Sequence, residues 1–273
     1  MLENMLFVCP KCQKSLFVKD GACVCENSHS YDRAKDGYYN LLLGNGGIHG
    51  DNREMVDARR KFLSLGHYRP LADMVSALVL EKTPTGGVVL DSGSGEGYYT
   101  DIAESALRER DDKTRVFGFD ISKDAVKRAA RRNSHVTYAV ASSYHMPIAD
   151  GSVDTLFNIF SPLAADETLR VLKRGGHFIM AIPGEEHLFD LKAAIYDTPY
   201  KNTVEDTKLS GFELVGCDRL DYMMKLSATE EISALFMMTP YAYRTSPQNK
   251  AKISALEELN CRAQFIILTY KKK

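Results

Sequence analysis

The stretch from Val88 to Thr100, VVLDSGSGEGYYT, constrains the fold of this 273-residue chain more than any other. Three β-prone apolar residues lead to the acid Asp91, and Gly93, Gly95 and Gly97 follow before a segment that can begin a helix. Glycine adopts positive φ and carries no Cβ, so it allows a tight turn that a ligand can approach closely. This order predicts a strand-to-helix turn at the carboxyl edge of a parallel sheet, where open α/β sheets bind ligands.

The residues of this turn favour one class of ligand. A dinucleotide-binding turn follows the pattern G-x-G-x-x-G, and Tyr98 stands where the third glycine is required. The carboxylate of Asp91 would repel a pyrophosphate, but it suits a cation such as the ammonium or sulfonium of S-adenosylmethionine (SAM). The alternative is an ordinary βα turn in which the glycines serve only the backbone.

A second acid ends the next predicted strand, Arg115–Asp120. In that position Asp120 can accept hydrogen bonds from both ribose hydroxyls of a nucleoside. Alternatively, Asp120 caps the helix that begins after Ile121 and Ser122. The third strand ends near Ser142, where only hydroxyls are available to contact an adenine.

Strands and helices alternate along most of the chain. The predicted strands are Val88–Asp91, Arg115–Asp120, Val136–Val140, Val153–Phe160, His177–Ile182, Phe212–Leu226 and Gln264–Tyr270. Helices are predicted between them, and two more precede the first strand, one from Arg53 to Gly66 and one from Leu71 to Leu80. The alternation favours an α/β fold with a Rossmann-like, mostly parallel seven-stranded sheet that ends in an antiparallel pair.

Four of the six cysteines lie within the first 25 residues. Cys9, Cys12, Cys25 and His29 have the spacing C-x2-C-x12-C-x3-H, which is typical of structural zinc sites with three thiolates and one imidazole. Four protein ligands leave no position for water, so we expect the zinc to fold a small module and not to catalyse a reaction. Cys23 is the alternative third thiolate, but the spacing to His29 favours Cys25.

Composition and charge indicate which broad class of protein the chain belongs to. With 44% hydrophobic and 26% charged residues, the chain has an ordinary globular composition. We expect a cytoplasmic protein without a membrane span, because no apolar run of about eighteen residues and no signal-peptide pattern is present. The net charge of −1 does not point to nucleic acid, but segments 53–69 and 108–132 are basic. These segments are either patches that bind a phosphate backbone or solvated helix faces.

Changes in the residue pattern along the chain predict that it is divided into three segments. Residues 1–43 form a zinc-binding module, residues 44–84 a linker and helical segment, and residues 85–273 the domain with the alternating strands. The glycine-rich segment Leu43–Asn52 is the predicted flexible linker.

Longer segments resemble the bacterial 23S ribosomal RNA (guanine-N1)-methyltransferases, which are zinc-containing, SAM-dependent enzymes. The resemblance covers nearly the whole chain and includes the four predicted zinc ligands and DSGSGEGYYT. Further matching segments are AKDGYYNLL (Ala34–Leu42), ARRKFLSLGHYRPL (Ala58–Leu71), VASSYHMP (Val140–Pro147), IFSP (Ile159–Pro162), PGEEHLFDLK (Pro183–Lys192) and MTPYAYR (Met238–Arg244). The resemblance implies a class I SAM-dependent methyltransferase fold with a small N-terminal zinc-binding module.

The resemblance also implies residue roles and partners. Tyr68 and His187 would approach the cofactor beside Gly95 and Glu96; from the residues alone, a core tyrosine and a solvated histidine at a helix start are equally compatible. The predicted cofactor-binding residues are therefore Tyr68, Asp91, Gly93, Gly95, Glu96, Gly97, Asp120 and His187. The implied substrate is N1 of a guanine in a hairpin loop of 23S ribosomal RNA, the implied assembly is a homodimer, and some family members affect macrolide resistance.

Methylation at guanine N1 requires that the N1 proton be lost or that the O6 oxyanion be stabilised. The sequence does not choose a base among Asp166, Glu185 and Glu186, and the catalytic residue stays unknown. The segment Phe160–Pro162 takes the place where many nucleobase methyltransferases present a proline-containing loop to an extruded base. Basic residues expected to contact RNA phosphates are Lys11, Lys14, Lys19, Arg59, Arg60 and Lys61.

Two other functions are compatible with parts of the sequence. A SAM-dependent methyltransferase could act on a small molecule or another RNA, although small-molecule enzymes seldom need an N-terminal zinc unit. A zinc-bearing RNA-binding protein could retain the fold without activity, but the presence of Asp91, Gly93, Gly95 and Asp120 counts against that reading.

Overall fold

The computed structural model describes residues 4–44, 50–204 and 207–273, so the middle of the predicted linker, residues 45–49, lies outside the described residues. The strands are β1 Asn4–Val8, β2 Ser15–Lys19, β3 Ala22–Val24, β4 Ser30–Asp32, β5 Tyr39–Asn40, β6 Val88–Ser92, β7 Arg115–Asp120, β8 Thr137–Val140, β9 Val153–Ile159, β10 Leu172–Pro183, β11 Phe212–Leu226 and β12 Leu259–Lys272. The helices are α1 Arg53–Ser64, α2 Arg69–Lys82, α3 Tyr98–Arg110, α4 Lys123–Arg132, α5 Ala165–Val171, α6 Phe189–Ile195, α7 Thr229–Met237, α8 Tyr241–Arg244 and α9 Pro247–Ser254.

The larger sheet has the order β11-β12-β10-β9-β6-β7-β8-β5. Strands β10, β9, β6, β7, β8 and β5 pair in parallel, whereas β12 pairs antiparallel with both β10 and β11. The chain proceeds outward from β6 to β7 and β8, and then returns to β9 on the other side. This reversal between β6 and β9 is a topological switch point, and it opens a crevice at the carboxyl end of β6.

The sheet has eight strands among the described residues, one more than the sequence predicts. Seven of them are the predicted ones, and the eighth is β5, which pairs in parallel with β8 through Tyr39 and Asn40. A two-residue strand has no period that can be recognised in a sequence. It exists because the edge of β8 offers hydrogen-bonding groups, as in the bond from Leu41 N to Val140 O at 3.0 Å.

The zinc module packs directly on the larger sheet. Its strands β1 to β4 form an antiparallel sheet. The fully buried ring of Phe7 lies edge-on to Phe117 of β7, with ring centroids 5.7 Å apart. Val8 N donates to Pro147 O at 2.8 Å. Burying a phenylalanine in this way contributes about 2–3 kcal/mol, so the module and the sheet stabilise each other.

The two faces of the larger sheet carry different cores, because successive strand residues point to opposite faces. Val89 of β6 faces a core formed with helices α1 to α4 and α6, α7 and α9, whereas Val88 and Leu90 face the zinc module and α5. Among the described residues, no helix is both long and apolar enough to cross a membrane.

Three local signals set the bounds of the helices before β6. Asn52 begins α1, since its side chain accepts a hydrogen bond from Met55 N at 3.0 Å. Gly66, with φ of +82°, turns the chain after α1, as the sequence predicts. The next helix starts with Arg69 and Pro70 directly after Tyr68, which places Tyr68 at a helix start beside the crevice.

Candidate functional site

The four predicted zinc ligands lie together. Their ligand atoms are all within 4.8 Å of one another. Cys12 Sγ is 3.7 Å from Cys25 Sγ, and His29 Nδ1 is 3.4 Å from Cys9 Sγ and 3.5 Å from Cys25 Sγ. Tetrahedral zinc with Zn–S of about 2.3 Å and Zn–N of about 2.0 Å requires S to S of about 3.8 Å and S to N of about 3.5 Å. The residues present therefore fit zinc.

The structure separates Cys25 from the alternative thiolate, Cys23. Cys23 is fully buried in β3, and its thiol donates to Met5 Sδ, 2.8 Å away. Burial raises the pKa of the Cys23 thiol to about 11, which keeps it in the neutral form. The sulfur of Cys23 does not belong to the four-ligand cluster, so Cys23 is part of the core of the module.

The glycine turn follows β6 as the sequence predicts. Gly93, Gly95 and Gly97 all have positive φ, at +83°, +54° and +81°. A Cβ on Gly93 would lie only 2.1 Å from Ser161 Oγ, so that glycine lets the turn pack against the loop after β9. No atom of the described residues lies within 4 Å of the place where a Cβ on Gly95 would be. The turn is therefore closed at Gly93 and open at Gly95, where a ligand can approach the backbone.

Asp91 is a buried acid at the end of β6. It is 2% exposed, and Thr100 Oγ1 donates to its Oδ2 at 2.5 Å. Burial raises the pKa of Asp91 to about 8; the Thr100 hydrogen bond opposes this rise, and the Asp120 carboxyl adds to it. A carboxyl group in this state gains free energy when a cation arrives, because a nearby positive charge favours its ionised form.

Asp120 connects β7 to the glycine turn. Its Oδ2 accepts from Gly95 N at 3.0 Å, and its Oδ1 accepts from Ser122 N at 2.8 Å. The cap of α4 is Ser122, whose hydroxyl accepts from Ala125 N at 3.3 Å. Asp120 thus orders the turn and is not the helix cap, and each carboxylate oxygen keeps a lone pair with which it can accept a ribose hydroxyl.

Glu96 forms an ion pair with Arg132, a contact that the sequence does not predict. Its buried Oε2 accepts from Arg132 of α4 at 2.6 Å, while Oε1 has no hydrogen-bond partner among the described residues. Burial raises the pKa of Glu96, and the charge of Arg132 lowers it. The free oxygen is compatible with a ligand contact, and the ion pair attaches the turn to α4.

Tyr68 and His187 meet across the crevice, although 119 positions separate them in sequence. Tyr68 is 2% exposed and His187 6%. The distance from Tyr68 Oη to His187 Nε2 is 3.2 Å, and Gln264 N donates to His187 Nδ1 at 3.2 Å. Because Nδ1 accepts, the neutral ring carries its proton on Nε2 and donates it to Tyr68. Burial, with a smaller effect of the Lys192 charge, lowers the pKa of His187 to about 3, so the ring stays neutral.

Phe160 completes an aromatic group beside this pair. It lies directly after β9 with φ of +56°, a conformation that is costly for a phenylalanine, and it is 40% exposed. Its ring is nearly parallel to that of His187, with centroids 6.2 Å apart, and is 5.7 Å from that of Phe265. The sequence analysis identified the loop but not this side chain as part of the site.

Both parts of the chain are similar to known proteins. The zinc-ribbon family model described as "RlmA, N-terminal" matches residues 7–43, and the model "Methyltransferase domain" matches residues 90–180. The "23S rRNA (guanine(748)-N(1))-methyltransferase" of Streptomyces fradiae is 30% identical over 251 residues, which are 89% of this chain and 88% of that protein. The "Putative 23S rRNA (guanine-N(1)-)-methyltransferase" of Micromonospora griseorubida is 31% identical over 92% of this chain and 91% of that one. This chain belongs to the 23S rRNA (guanine-N1)-methyltransferase family.

The family assignment and the observed topology confirm the predicted fold class. The chain is a class I SAM-dependent methyltransferase with an N-terminal zinc ribbon, and its cofactors are SAM and zinc. The zinc fits the four-ligand cluster, and SAM fits the open turn with its buried acid.

The candidate bases of this family member lie in different surroundings. Glu186 forms an ion pair with Lys201, and Asp166 lies in the first turn of α5. Asn158, which is not a base, donates from Nδ2 to Ser92 O at 3.1 Å and so fixes the end of β9 to β6. Among the described residues, no hydrogen bond joins the carboxylate of Asp166, Glu185 or Glu186 to Tyr68 or His187, and the base stays unassigned.

Several basic residues of the predicted patches form ion pairs with acids of the protein itself. Arg59 pairs with Asp51 at 2.5 Å and donates to Met238 O at 3.3 Å. In α4, Arg128 pairs with Asp57, Arg131 with Asp36 and Arg132 with Glu96. Arg128 and Arg131 connect α4 to α1 and to the zinc module, and Arg132 connects it to the glycine turn. Arg60, Lys61, Lys11 and Lys19 are exposed, and Lys14 is exposed in an ion pair with Glu26.

Proposed function

We propose that this protein transfers the methyl group of SAM to N1 of a guanine in 23S ribosomal RNA. The observation that carries the proposal is the similarity to a 23S rRNA (guanine(748)-N(1))-methyltransferase over 89% of the chain, zinc ribbon included. A small-molecule methyltransferase would explain the domain at residues 90–180 but not the ribbon at residues 7–43.

We assign the cofactor contacts to both sides of the crevice. On the side of the turn they are Asp91, Gly93, Gly95, Glu96, Gly97 and Asp120, and on the other side Tyr68 and His187. Asp91 would face the cationic end of SAM and Asp120 the ribose hydroxyls. When bound, SAM supplies an activated methyl group on a sulfonium, so the protein has mainly to hold the acceptor in line with it.

The guanine would enter from the side of Phe160. This ring is exposed at the carboxyl end of β9, beside Ser161, which packs on Gly93. Guanine N1 takes part in base pairing, so the acceptor must be an unpaired or extruded base, and an exposed aromatic ring can stack on such a base. A hairpin loop in the RNA meets this requirement.

We assign RNA recognition to residues 1–43, support of the crevice to residues 44–84 and methyl transfer to residues 85–273. The exposed Lys11, Lys19, Arg60 and Lys61 would contact phosphates. The family resemblance supports a homodimer, and a ribosomal substrate would be consistent with a cytoplasmic enzyme.

The decisive experiment uses purified protein, methyl-labelled SAM and large-subunit RNA that lacks the modification. We expect one labelled guanine per RNA, with the methyl group on N1, which stops reverse transcription at that position. Labelling of a small molecule but not of RNA would favour the metabolite alternative. Binding of RNA without binding of SAM would favour an inactive RNA-binding protein. Either result would overturn the proposal.

A further inference from the structure

The turn that carries His187, residues 184–188, is held on one side by β12. Three backbone N–H groups of the turn donate to this strand: Gly184 N to Gln264 O at 2.8 Å, Glu186 N to Gln264 Oε1 at 2.9 Å and Leu188 N to Arg262 O at 2.9 Å. These bonds hold the turn on one side, and the carbonyl groups of Gly184, Glu185 and His187 accept hydrogen bonds from a different partner.

That partner is Asn202. Its backbone N donates to Glu185 O at 2.9 Å, and its Nδ2 donates to Gly184 O at 2.8 Å and to His187 O at 3.0 Å. One asparagine therefore holds three carbonyl groups of the His187 turn. Both protons of its amide are in use, so the amide must keep one orientation to hold the turn.

Lys192 of α6 supplies that orientation. Its side chain is fully buried, and its Nζ donates to Asn202 Oδ1 at 2.6 Å and to Tyr200 O at 3.1 Å. An ammonium group can only donate, so the Asn202 amide must present its oxygen to Lys192 and its two protons to the turn. Nζ also lies 4.4 Å from the ring centroid of Tyr200 and 5.3 Å from that of Tyr241.

Burying the ammonium group of Lys192 in this space costs free energy. Removing a cation from water costs several kcal/mol, and an apolar side chain of similar volume is often as stable or more stable in the same place. Among the described residues, no carboxylate lies within ion-pairing distance of Lys192. Burial accordingly lowers the pKa of Lys192. Packing alone does not explain this residue, whereas the orientation of Asn202 does.

We propose that Lys192 and Asn202 are positioning residues for methyl transfer. The ammonium of Lys192 fixes the Asn202 amide, and the amide holds the His187 turn where His187 donates to Tyr68 at the cofactor side of the crevice. The proposal rests on the proposed function, because it takes Tyr68 and His187 as contacts of the methyl donor. It adds that a buried lysine and a partly buried asparagine outside the crevice set the geometry of that contact.

The test compares K192M and N202D with the wild-type protein. K192M keeps the volume and removes the donor; N202D keeps the shape and the bond to Lys192 but removes both amide protons. We expect each to raise the KM for SAM about tenfold, since a small displacement of a contacting group is costly. The KM for RNA should stay as in the wild type. The matched control is K252M, because Lys252 bonds Asp197 and Ile195 O on the same side of the molecule and does not contact the turn.

If the two residues served only the stability of the fold, the substitutions would lower Tm and the fraction of folded enzyme. The apparent kcat would then fall, but the KM for SAM would not change. That result, or an unchanged KM in both variants, overturns the proposal. A second measurement does not need activity. Nitrogen-15 NMR of the His187 ring should show a proton on Nε2 in the wild type and altered ring shifts in N202D and K192M. If the wild type binds no SAM, the proposed function fails, whereas unchanged ring shifts in both variants refute the positioning role itself.

Discussion

The two sites of this protein are built in opposite ways. The zinc ligands lie close in sequence, with 20 positions between Cys9 and His29, and short turns bring them together. The proposed methyl-donor site joins Tyr68 and His187 over 119 positions, and strands β6 to β10 lie between them in the sequence. Ligand spacing therefore suffices to recognise the first site, whereas the second exists only when the strand order is correct.

The contrast extends to what each site tolerates. The zinc site consists of four ligands that close one tetrahedron, so we expect removal of one ligand to abolish zinc binding. The proposed donor site distributes its contacts over a turn, two acids and a tyrosine–histidine pair, so we expect single substitutions to reduce SAM affinity without abolishing it. Single substitutions in each site test this difference, and we expect the loss of a zinc ligand to have the largest effect.

Cys12→Ser should eliminate zinc binding and unfold the module. Structural zinc contributes on the order of 10 kcal/mol, which is comparable with the stability of a whole domain. Because Phe7 packs on Phe117, the loss should also expose the face of the larger sheet to proteolysis. Zinc content by atomic emission and limited proteolysis measure the two effects, with the exposed Cys217→Ser as control. Retention of one zinc per chain by Cys12→Ser would contradict the assigned ligand set.

Asp91→Asn should weaken SAM binding about 100-fold, equivalent to about 3 kcal/mol, because it leaves a bound cation without its buried partner. The amide keeps the shape of the side chain and can still accept from Thr100. Isothermal titration with SAM measures the affinity, and the exposed Asp197→Asn is the control. Equal affinities of Asp91→Asn and the wild type would show that the acid serves only the fold.

The affinity of the wild type for SAM should rise with pH below about 8, by up to about 1.4 kcal/mol per pH unit, and Asp91→Asn should lose this component. The raised pKa means that free Asp91 binds a proton at neutral pH and releases it when the cation arrives. Titration in buffers of different ionisation enthalpy counts the released proton. Equal proton release by Asp91→Asn and the wild type would exclude Asp91 as its source.

The raised pKa of Asp91 also predicts how the stability of the unliganded protein changes with pH. The folded Asp91 has the higher pKa, so the folded chain binds more protons than the unfolded chain between pH 4 and about 8. The contribution of Asp91 to stability is therefore complete at low pH and is lost as pH rises towards 8. Urea unfolding should show Asp91→Asn gaining stability relative to the wild type across this range; a constant difference would contradict the assignment.

Tyr68→Phe should have the smallest effect, a loss of about 1 kcal/mol in SAM binding. The variant keeps the ring contacts with Phe62 and Phe265 and loses only the hydroxyl that meets His187. The KM for SAM measures this change, with the exposed Tyr144→Phe as control. A loss as large as that of Asp91→Asn would mean that the tyrosine–histidine pair, and not the acid, dominates the donor site.

Most of the fold was predictable because it depends on local patterns. The turn from Asp91 to Gly97, the seven main strands and Cys25 in place of Cys23 all agree with their sequence signals. The strand β5 was missed because two residues carry no period. The basic segment 108–132 suggested a surface patch, but Arg131 and Arg132 bind acids of the module and of the turn. A run of basic residues in a sequence does not show which of them form ion pairs within the folded protein.

The sequence by itself determined the zinc ligands, the glycine turn and the alternation that makes the sheet, because each is set by residues a few positions apart. Only the tertiary structure decided that Thr100 meets Asp91, that Arg132 holds Glu96, and that Lys192 reaches the His187 turn through Asn202. Such contacts depend on the packing of distant segments, and burial gives them their strength, since a hydrogen bond shielded from water is costly to break.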